Sequence, residues 1–219
     1  MTEFAINTDH GELSATLNLP DKAQSALLFA HGAGADHKHA HMENLASAFA
    51  SVGIATLRFN FPFKEHGRNR VDSKAVSIDC IVSAAETLQA KTKLPIFAGG
   101  HSFGGRMVTH AVADKVLDCC GLILCSFPLH PAGKPGTDRV AHFDDIQHPA
   151  LFLSGTRDAL ADSALLSEQT GKLTAKTKLH WLDTADHSFK VLKRTRKVDL
   201  DVYEEAAGVA ASFVSDTLT

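Results

Sequence analysis

Short, almost wholly apolar runs recur along the chain and are separated by stretches with helical spacing. Runs that are apolar on both faces are typical of strands buried in a parallel sheet. The first residues differ, because positions 4–19 alternate loosely and predict an antiparallel hairpin or two edge strands. The alternation predicts an α/β fold, a mostly parallel, doubly wound sheet with helices on both faces. The expected strands cover residues 25–30, 54–59, 96–99, 121–126, 150–155 and 179–182.

Apolar residues at helical spacing fill the segments between these runs. Helices are expected over residues 42–51 and 162–173 and near the C-terminus. A further long helix should begin after Asp72 and Ser73, because both side chains cap helix N-termini well. The long helix should bury a stripe made of Ala75, Ile78, Val82, Ala85 and Leu88, and the last helix one made of Val202, Ala206, Val209, Ala210 and Phe213.

Length and continuity bear on the number of domains. A chain of 219 residues is ample for one hydrophobic core and short for two. It contains no internal repeat, no low-complexity segment and no recognisable linker. Residues 1–219 are therefore predicted to form a single domain. The segment between the strands at 121–126 and 150–155 is too short for an added cap domain.

Composition excludes several classes of function. The net charge of −3 shows no excess of basic residues, which argues against a nucleic-acid partner. No apolar segment approaches the ~18 residues of a membrane span, and the first residues do not resemble a secretory signal. We therefore expect a cytoplasmic protein that does not bind membranes, either a monomer or a homodimer. The four cysteines form no C-x-x-C pair and are expected to be buried, reduced thiols: Cys80, Cys119, Cys120 and Cys125.

One of the predicted strands runs into the sequence Gly100-His101-Ser102-Phe103-Gly104. This is a G-x-S-x-G pattern, which places a serine on a sharp turn between a strand and a helix. Such a turn needs small residues around the serine, since side chains there would meet the neighbouring strand and helix. Alone, the pattern is common by chance, so its weight depends on the rest of the chain.

Two later turns supply the partners that a nucleophilic serine requires. Asp158 follows the strand at 150–155, and His187 follows the last strand. This order of serine, acid and histidine predicts that Ser102 attacks a carbonyl carbon, His187 moves the proton and Asp158 orients the imidazole. Asp183 and Asp186 are rivals for the acid, but both lie close in sequence to His187.

An oxyanion hole needs two backbone N–H groups beside the serine. The amide of Phe103 lies at a helix start and is one predicted donor. Small residues follow the strand at 25–30, in a position suited to the second donor. Ala33 is the first choice for that donor, and Gly34 is the second.

Together these segments resemble the dienelactone-hydrolase-related group of small α/β-hydrolases, which includes testis-expressed and KANSL-type proteins. The resemblance implies the α/β-hydrolase fold and the Ser102, Asp158, His187 triad. Dienelactone hydrolase itself has cysteine as nucleophile, so lactone specificity does not carry over to a chain with serine. The matching segments are HGAGAD at 31–36, FNFPF at 59–63, GGHSFGGRM at 99–107, FPLHPAGKP at 127–135 and GTRD at 155–158.

These inferences predict a serine hydrolase that cleaves a small carboxylic ester or thioester and needs no cofactor. Without a cap domain, the pocket should be open, with Phe63 and His130 contacting the substrate. Arg68 and Arg70 are further candidates for binding a substrate carboxylate.

Three alternatives remain open at this point. One is a catalytically silent binding or scaffold module built on this fold, and another is a peptidase that uses the same triad. A metal site is a third interpretation, because His37, His39 and His41 follow an H-x-H-x-H pattern. The serine mechanism needs no metal, and no carboxylate or cysteine completes a recognisable ligand set there.

Overall fold

In the computed structural model, which describes residues 1–219, eight strands form one sheet in the order β1-β2-β4-β3-β5-β6-β7-β8. β2 pairs antiparallel with both β1 and β4, and every other neighbouring pair is parallel. The predicted fold class is therefore confirmed, including the N-terminal hairpin. The strands are β1 (Thr2–Thr8), β2 (Gly11–Asn18), β3 (Ser25–Ala30), β4 (Ile54–Phe59), β5 (Ile96–His101), β6 (Leu122–Cys125), β7 (Ala150–Gly155) and β8 (Thr177–Leu182).

Helices cover both faces of this sheet. One face buries a cluster of 36 apolar residues that includes side chains of the third and fourth helices, and the other buries 20 with the first and last. β3, β4, β5 and β7 are buried along their whole length, as expected for strands covered on both faces. The helices are α1 (Ala40–Ser51), α2 (Pro62–Glu65), α3 (Lys74–Lys91), α4 (Phe103–Ala113), α5 (Ser163–Gly171) and α6 (Val202–Leu218).

The long helix α3 differs from its prediction in the face that it buries. Ser73 caps its N-terminus as expected, accepting a hydrogen bond from the Val76 N–H. However, Ala75 is exposed and Val82 only partly buried. The buried face is rotated relative to the predicted stripe and consists of Ser77, Ile78, Cys80, Ile81, Ala84 and Leu88.

No cap domain separates β6 from β7. The connection holds only two 3-10 helices, Asp138–Val140 and Phe143–Asp145. The carboxyl ends of β3, β5, β7 and β8 therefore stay uncovered by an added domain, and the functional residues lie on the loops that leave these ends. None of the helices combines the length and the apolar character that a membrane crossing would demand.

Candidate active site

Ser102 occupies the turn between β5 and α4 in a backbone conformation that side chains rarely adopt. Its φ is 51° and its ψ is −117°, and its N–H donates a hydrogen bond to the Cys125 carbonyl at 2.9 Å. A non-glycine residue with such a positive φ is strained and is found where surrounding structure enforces it. The sharp strand-to-helix turn predicted from the sequence, which we call the elbow, is present.

Two glycines allow this turn to pack against β3. A Cβ atom added at Gly100 would lie 2.4 Å from the Ala30 carbonyl oxygen, and one added at Gly104 would lie at the same distance from that oxygen. Because the obstacle is backbone, no side-chain movement would make room. The requirement for small residues on both sides of the serine is therefore a steric requirement of strand β3.

The structure brings Ser102, His187 and Asp158 into one hydrogen-bonded chain. His187 Nε2 lies 2.8 Å from Ser102 Oγ, and Nδ1 lies 2.9 and 2.8 Å from the two carboxylate oxygens of Asp158. With Asp158 ionised, Nδ1 carries the proton and Nε2 is free to accept one from the serine hydroxyl. This arrangement is what general-base activation of a serine requires.

Asp158 is held in place on the turn after β7. Its side chain is inaccessible to solvent, and Oδ1 also accepts a hydrogen bond from the Leu160 N–H at 2.8 Å. The rival acids serve other backbone groups. Asp186 Oδ1 accepts from the N–H groups of Ser188 and Lys190, and Asp183 accepts from the Lys197 N–H.

The two predicted oxyanion donors both have free N–H groups. Neither Ala33 nor Phe103 donates a backbone hydrogen bond within the protein. Ala33 follows Gly32, where an added Cβ would lie 3.5 Å from the Ser102 Cβ, so this loop passes directly beside the serine. Free amides next to a nucleophile are suited to stabilising an oxyanion. The N–H of Gly34, the second choice, is also free.

A buried histidine fixes the loop that carries Ala33. His31 Nδ1 donates to the Gly32 carbonyl at 2.8 Å, and Nε2 accepts from the Phe61 N–H at 3.1 Å. The bond accepted by Nε2 requires the neutral ring, and burial lowers the pKa of His31 to about 4. Its ring also packs against Phe61 and Phe63. His31 thus links the loop after β3 to the turn after β4.

His101 is a residue of the candidate site that sequence reasoning did not single out. Its Nε2 donates to the His187 carbonyl oxygen at 2.9 Å. This bond ties the loop after β8 that carries His187, here called the histidine loop, to the elbow. Burial lowers its pKa to about 4, so the ring is neutral near pH 7. Its ring contacts that of His41, whose Nδ1 is bonded to the Tyr203 hydroxyl. The available signal was the histidine inside G-x-S-x-G, directly before the serine.

A cavity of about 340 Å³ opens at Ser102. Larger surface cavities of about 500 and 520 Å³ lie elsewhere and contain none of the triad residues. The site cavity is therefore identified by its chemistry and not by its size. Its lining includes the loop after β3 and the histidine loop: Gly32, Ala33, Gly34, Ala35, His39, His41, His101, Ser102, Leu160, His187 and Ser188.

Phe63 and His130, expected to contact substrate, do not line this cavity, and the expectation needs correction for both. Phe63 is fully buried and packs against Phe103 behind the loop that carries Ala33. His130 is also buried, with Nδ1 donating to the Pro131 carbonyl and Nε2 accepting from the Asp162 N–H. Phe63 therefore supports the site from within the core, and His130 joins two loops.

The histidines of the H-x-H-x-H pattern have separate roles. His37 contacts the Asn60 side chain, and His41 bonds to Tyr203. His39 caps α1, accepting from the His41 N–H through its side chain. No group of three or more His, Cys, Asp or Glu side chains is arranged to hold a metal ion.

Comparison with known proteins adds to this geometry. Residues 23–215 match a family model described as an alpha/beta hydrolase domain. The esterase Est1E from Butyrivibrio proteoclasticus, solved with ferulic acid, is 16% identical with a TM-score of 0.77, covering 98% of this chain and 99% of that one. Dienelactone hydrolase from Anabaena variabilis is 17% identical with a TM-score of 0.76, covering 98% and 97%. A lidless α/β serine hydrolase from Xanthomonas campestris is 20% identical with a TM-score of 0.75, covering 98% and 94%.

Proposed function

This chain belongs to the family of α/β-hydrolase domains, and from that premise we propose that it is a serine hydrolase cleaving a small carboxylic ester or thioester. One observation carries the proposal, namely the continuous hydrogen bonding from Asp158 through His187 to Ser102. Within the family, we also propose membership of the dienelactone-hydrolase-related group with testis-expressed and KANSL-type proteins.

In the first half of the proposed reaction, Ser102 Oγ attacks the carbonyl carbon while its proton passes to His187 Nε2. The carbonyl oxygen becomes an oxyanion that accepts hydrogen bonds from the free N–H groups of Ala33 and Phe103. The imidazolium so formed is stabilised by the buried Asp158 carboxylate. The intermediate then expels the alcohol or thiol, which takes the proton from Nε2, and leaves an acyl group on Ser102.

In the second half, water replaces the leaving group. His187 Nε2 takes a proton from the water as its oxygen attacks the acyl carbon. The same two N–H groups stabilise the second oxyanion, and its collapse returns the proton to Ser102 and releases the acid. Every catalytic group in this cycle belongs to the chain, so the proposed mechanism uses no cofactor.

The surroundings of Ser102 support a modest substrate. A cavity of about 340 Å³ accommodates a short acyl group, and no cap domain restricts access to it. We propose that residues 1–219 act as one hydrolase domain on a small-molecule ester or thioester. A cytoplasmic location and a monomeric or homodimeric state remain predictions.

Labelling with a fluorophosphonate probe tests the proposal, because such probes react with activated serines. Wild-type protein should be labelled, Ser102→Ala should not, and His187→Ala should lose most of its reactivity. Ser188→Ala is the matched control, since Ser188 is an exposed serine lining the same cavity without a hydrogen bond to His187. We expect this variant to label like wild type.

Failure of well-folded wild-type protein to react would contradict the proposal. The intact fold with an unreactive serine would then favour a binding or scaffold module. Labelling that persists in Ser102→Ala would show that another residue is the nucleophile.

A further inference from the structure

One arginine near the nucleophile lacks the partner that its environment calls for. The guanidinium of Arg106, on α4, makes no hydrogen bond or ion pair in the protein, although the residue is partly buried. Its Nε is inaccessible to solvent and unpartnered. Arg68 pairs with Asp72, and Arg196 pairs with Glu205. The Nε of Arg58 is also buried without a partner, but its guanidinium donates to the His37 carbonyl. A charge withdrawn from water is ordinarily paired, whereas Arg106 combines a buried, unpartnered Nε with no hydrogen bond from the rest of its guanidinium.

A second arginine without an acidic partner lies in the segment between β6 and β7, which contacts α4. Arg139 donates only to the Pro128 carbonyl, at 3.3 Å, and forms no ion pair. His142 follows Arg139 by three residues and contacts α4. The His142 ring stacks on that of His110 at 3.7 Å and bonds to the Thr109 hydroxyl. Burial and, secondarily, the charge of Arg139 lower the pKa of Arg106.

The neighbouring groups provide no counter-charge. Burial lowers the pKa values of His110 and His142 to about 4, so both rings are neutral near pH 7. The nearby carboxylate of Asp114 is already engaged by Lys74 at 2.7 Å. Neither guanidinium is therefore paired with an acidic side chain.

Both arginines can be placed relative to Ser102. Arg106 lies one helical turn after the serine, and its N–H donates to the Ser102 carbonyl at 3.0 Å. Arg139 reaches the Pro128 carbonyl in the loop directly after β6. The last residue of β6, Cys125, accepts the Ser102 N–H. Arg139 therefore lies on the β6 side of the nucleophile, away from the loop that carries Ala33, and its charge acts on Arg106.

We propose that Arg106 and Arg139 bind an anionic group, a carboxylate or phosphate, of the substrate that Ser102 attacks. The inference rests on the proposed hydrolase function and narrows its substrates to negatively charged esters or thioesters. A guanidinium presents donors in a planar fork that matches either anion. Bound substrate would then supply the counter-charge that the free protein lacks.

Three pairs of substrates test this proposal and locate the anion. In each pair one member is charged and the other is a neutral analogue. 4-Nitrophenyl glutarate against 4-nitrophenyl pentanoate places a carboxylate on the acyl side. 4-Acetoxybenzoate against 4-acetoxybenzamide places it on the leaving group. Acetyl phosphopantetheine against acetyl pantetheine offers a phosphate.

We expect wild type to favour the charged member of at least one pair by tenfold or more in kcat/KM. Arg106→Gln and Arg139→Gln should each reduce that value ten- to a hundredfold through KM, with less than a twofold change for the neutral analogue. Arg106→Lys should recover part of the loss. The matched control is Arg194→Gln, which removes an exposed charge that makes no contact and should change neither member.

Two results would overturn the anion site. One is the absence of a preference in every pair, and the other is an equal loss on charged and neutral members in the arginine variants. If wild type cleaves no ester at all, the hydrolase proposal fails separately. Calorimetric titration of glutarate and of inorganic phosphate into wild type and Arg106→Gln then decides the site, and equal or absent binding by both proteins would refute it.

Discussion

The elbow that holds Ser102 and the loop that holds His187 are positioned by different physics. At the elbow, backbone meets backbone, because Cβ atoms at Gly100 and Gly104 would lie 2.4 Å from the Ala30 carbonyl oxygen. The histidine loop depends on individual polar bonds, such as those that Asp186 and His101 make to its backbone. Ser102 is therefore fixed by shape, and His187 by hydrogen bonding.

This difference predicts two kinds of damage. A side chain forced into the elbow has no space to enter, so the sheet and α4 must separate and stability is lost. Removing one polar bond from the histidine loop leaves the core intact but loosens the geometry of His187. Small misplacements of a catalytic group reduce the rate far more than they reduce stability.

The largest expected effect is on the elbow. Gly104→Ala should lower the free energy of unfolding by about 3 kcal/mol or more, because the new methyl group would overlap the β3 backbone. Gly208→Ala is the matched control, since that glycine lies within α6 and its Cβ would meet nothing within 4 Å. The control should stabilise the protein by about 0.5–1 kcal/mol. Urea unfolding measures both, and equal stabilities would contradict the steric account.

The second largest effect is expected at low pH. Acid should lower the free energy of unfolding through the buried histidines that flank the histidine loop. Burial lowers the pKa of His41 to about 3, below the ~6.5 expected in the unfolded chain. The unfolded state therefore binds the proton first, and the free energy of unfolding falls as pH drops below about 6.5. Each such group contributes a slope of about 1.4 kcal/mol per pH unit until its folded pKa is reached.

His41→Phe checks this effect, since phenylalanine keeps the aromatic contact with Phe189 and cannot titrate. Unfolding by urea at pH 7, 6 and 5 should show a shallower loss of stability for the variant than for wild type. An unchanged slope would mean that His41 is not the titrating group.

The smallest effect concerns the single bond from His101 to the loop. His101→Leu removes the donor to the His187 carbonyl and should lower kcat about five- to tenfold at unchanged KM. His101→Gln keeps an N–H donor at a similar reach and should recover much of the rate. The difference between the two variants isolates the hydrogen bond from packing. Equal rates for both would show that the bond does not position His187.

Most of the architecture follows from the sequence because long apolar runs and helical spacing extend over whole elements. Short elements escape such analysis: α2 spans only Pro62–Glu65, and each 3-10 helix has three residues. The buried face of α3 was misjudged because small polar residues count as outward-facing. Ser77 is nevertheless fully buried, since that face packs tightly on the sheet.

The candidate site likewise contains features that the sequence predicts and features that it does not. Ser102, Asp158 and His187 are predictable because each follows a strand, and parallel strands bring their carboxyl ends together. Lining residues are less predictable, since a side chain's direction depends on distant partners. Phe63 turns inward toward His31, and the His130 ring is occupied by neighbouring backbone. Nothing local in the sequence distinguishes these outcomes from exposure to the cavity.

The strained backbone of Ser102 has a consequence for how this chain can change over time. Glycine tolerates a φ of 51° that strains serine, so replacement by glycine would relieve strain while removing the hydroxyl. A single substitution thus trades the proposed hydrolysis for thermodynamic stability. At this position, selection for a durable protein and selection for a reactive one oppose each other.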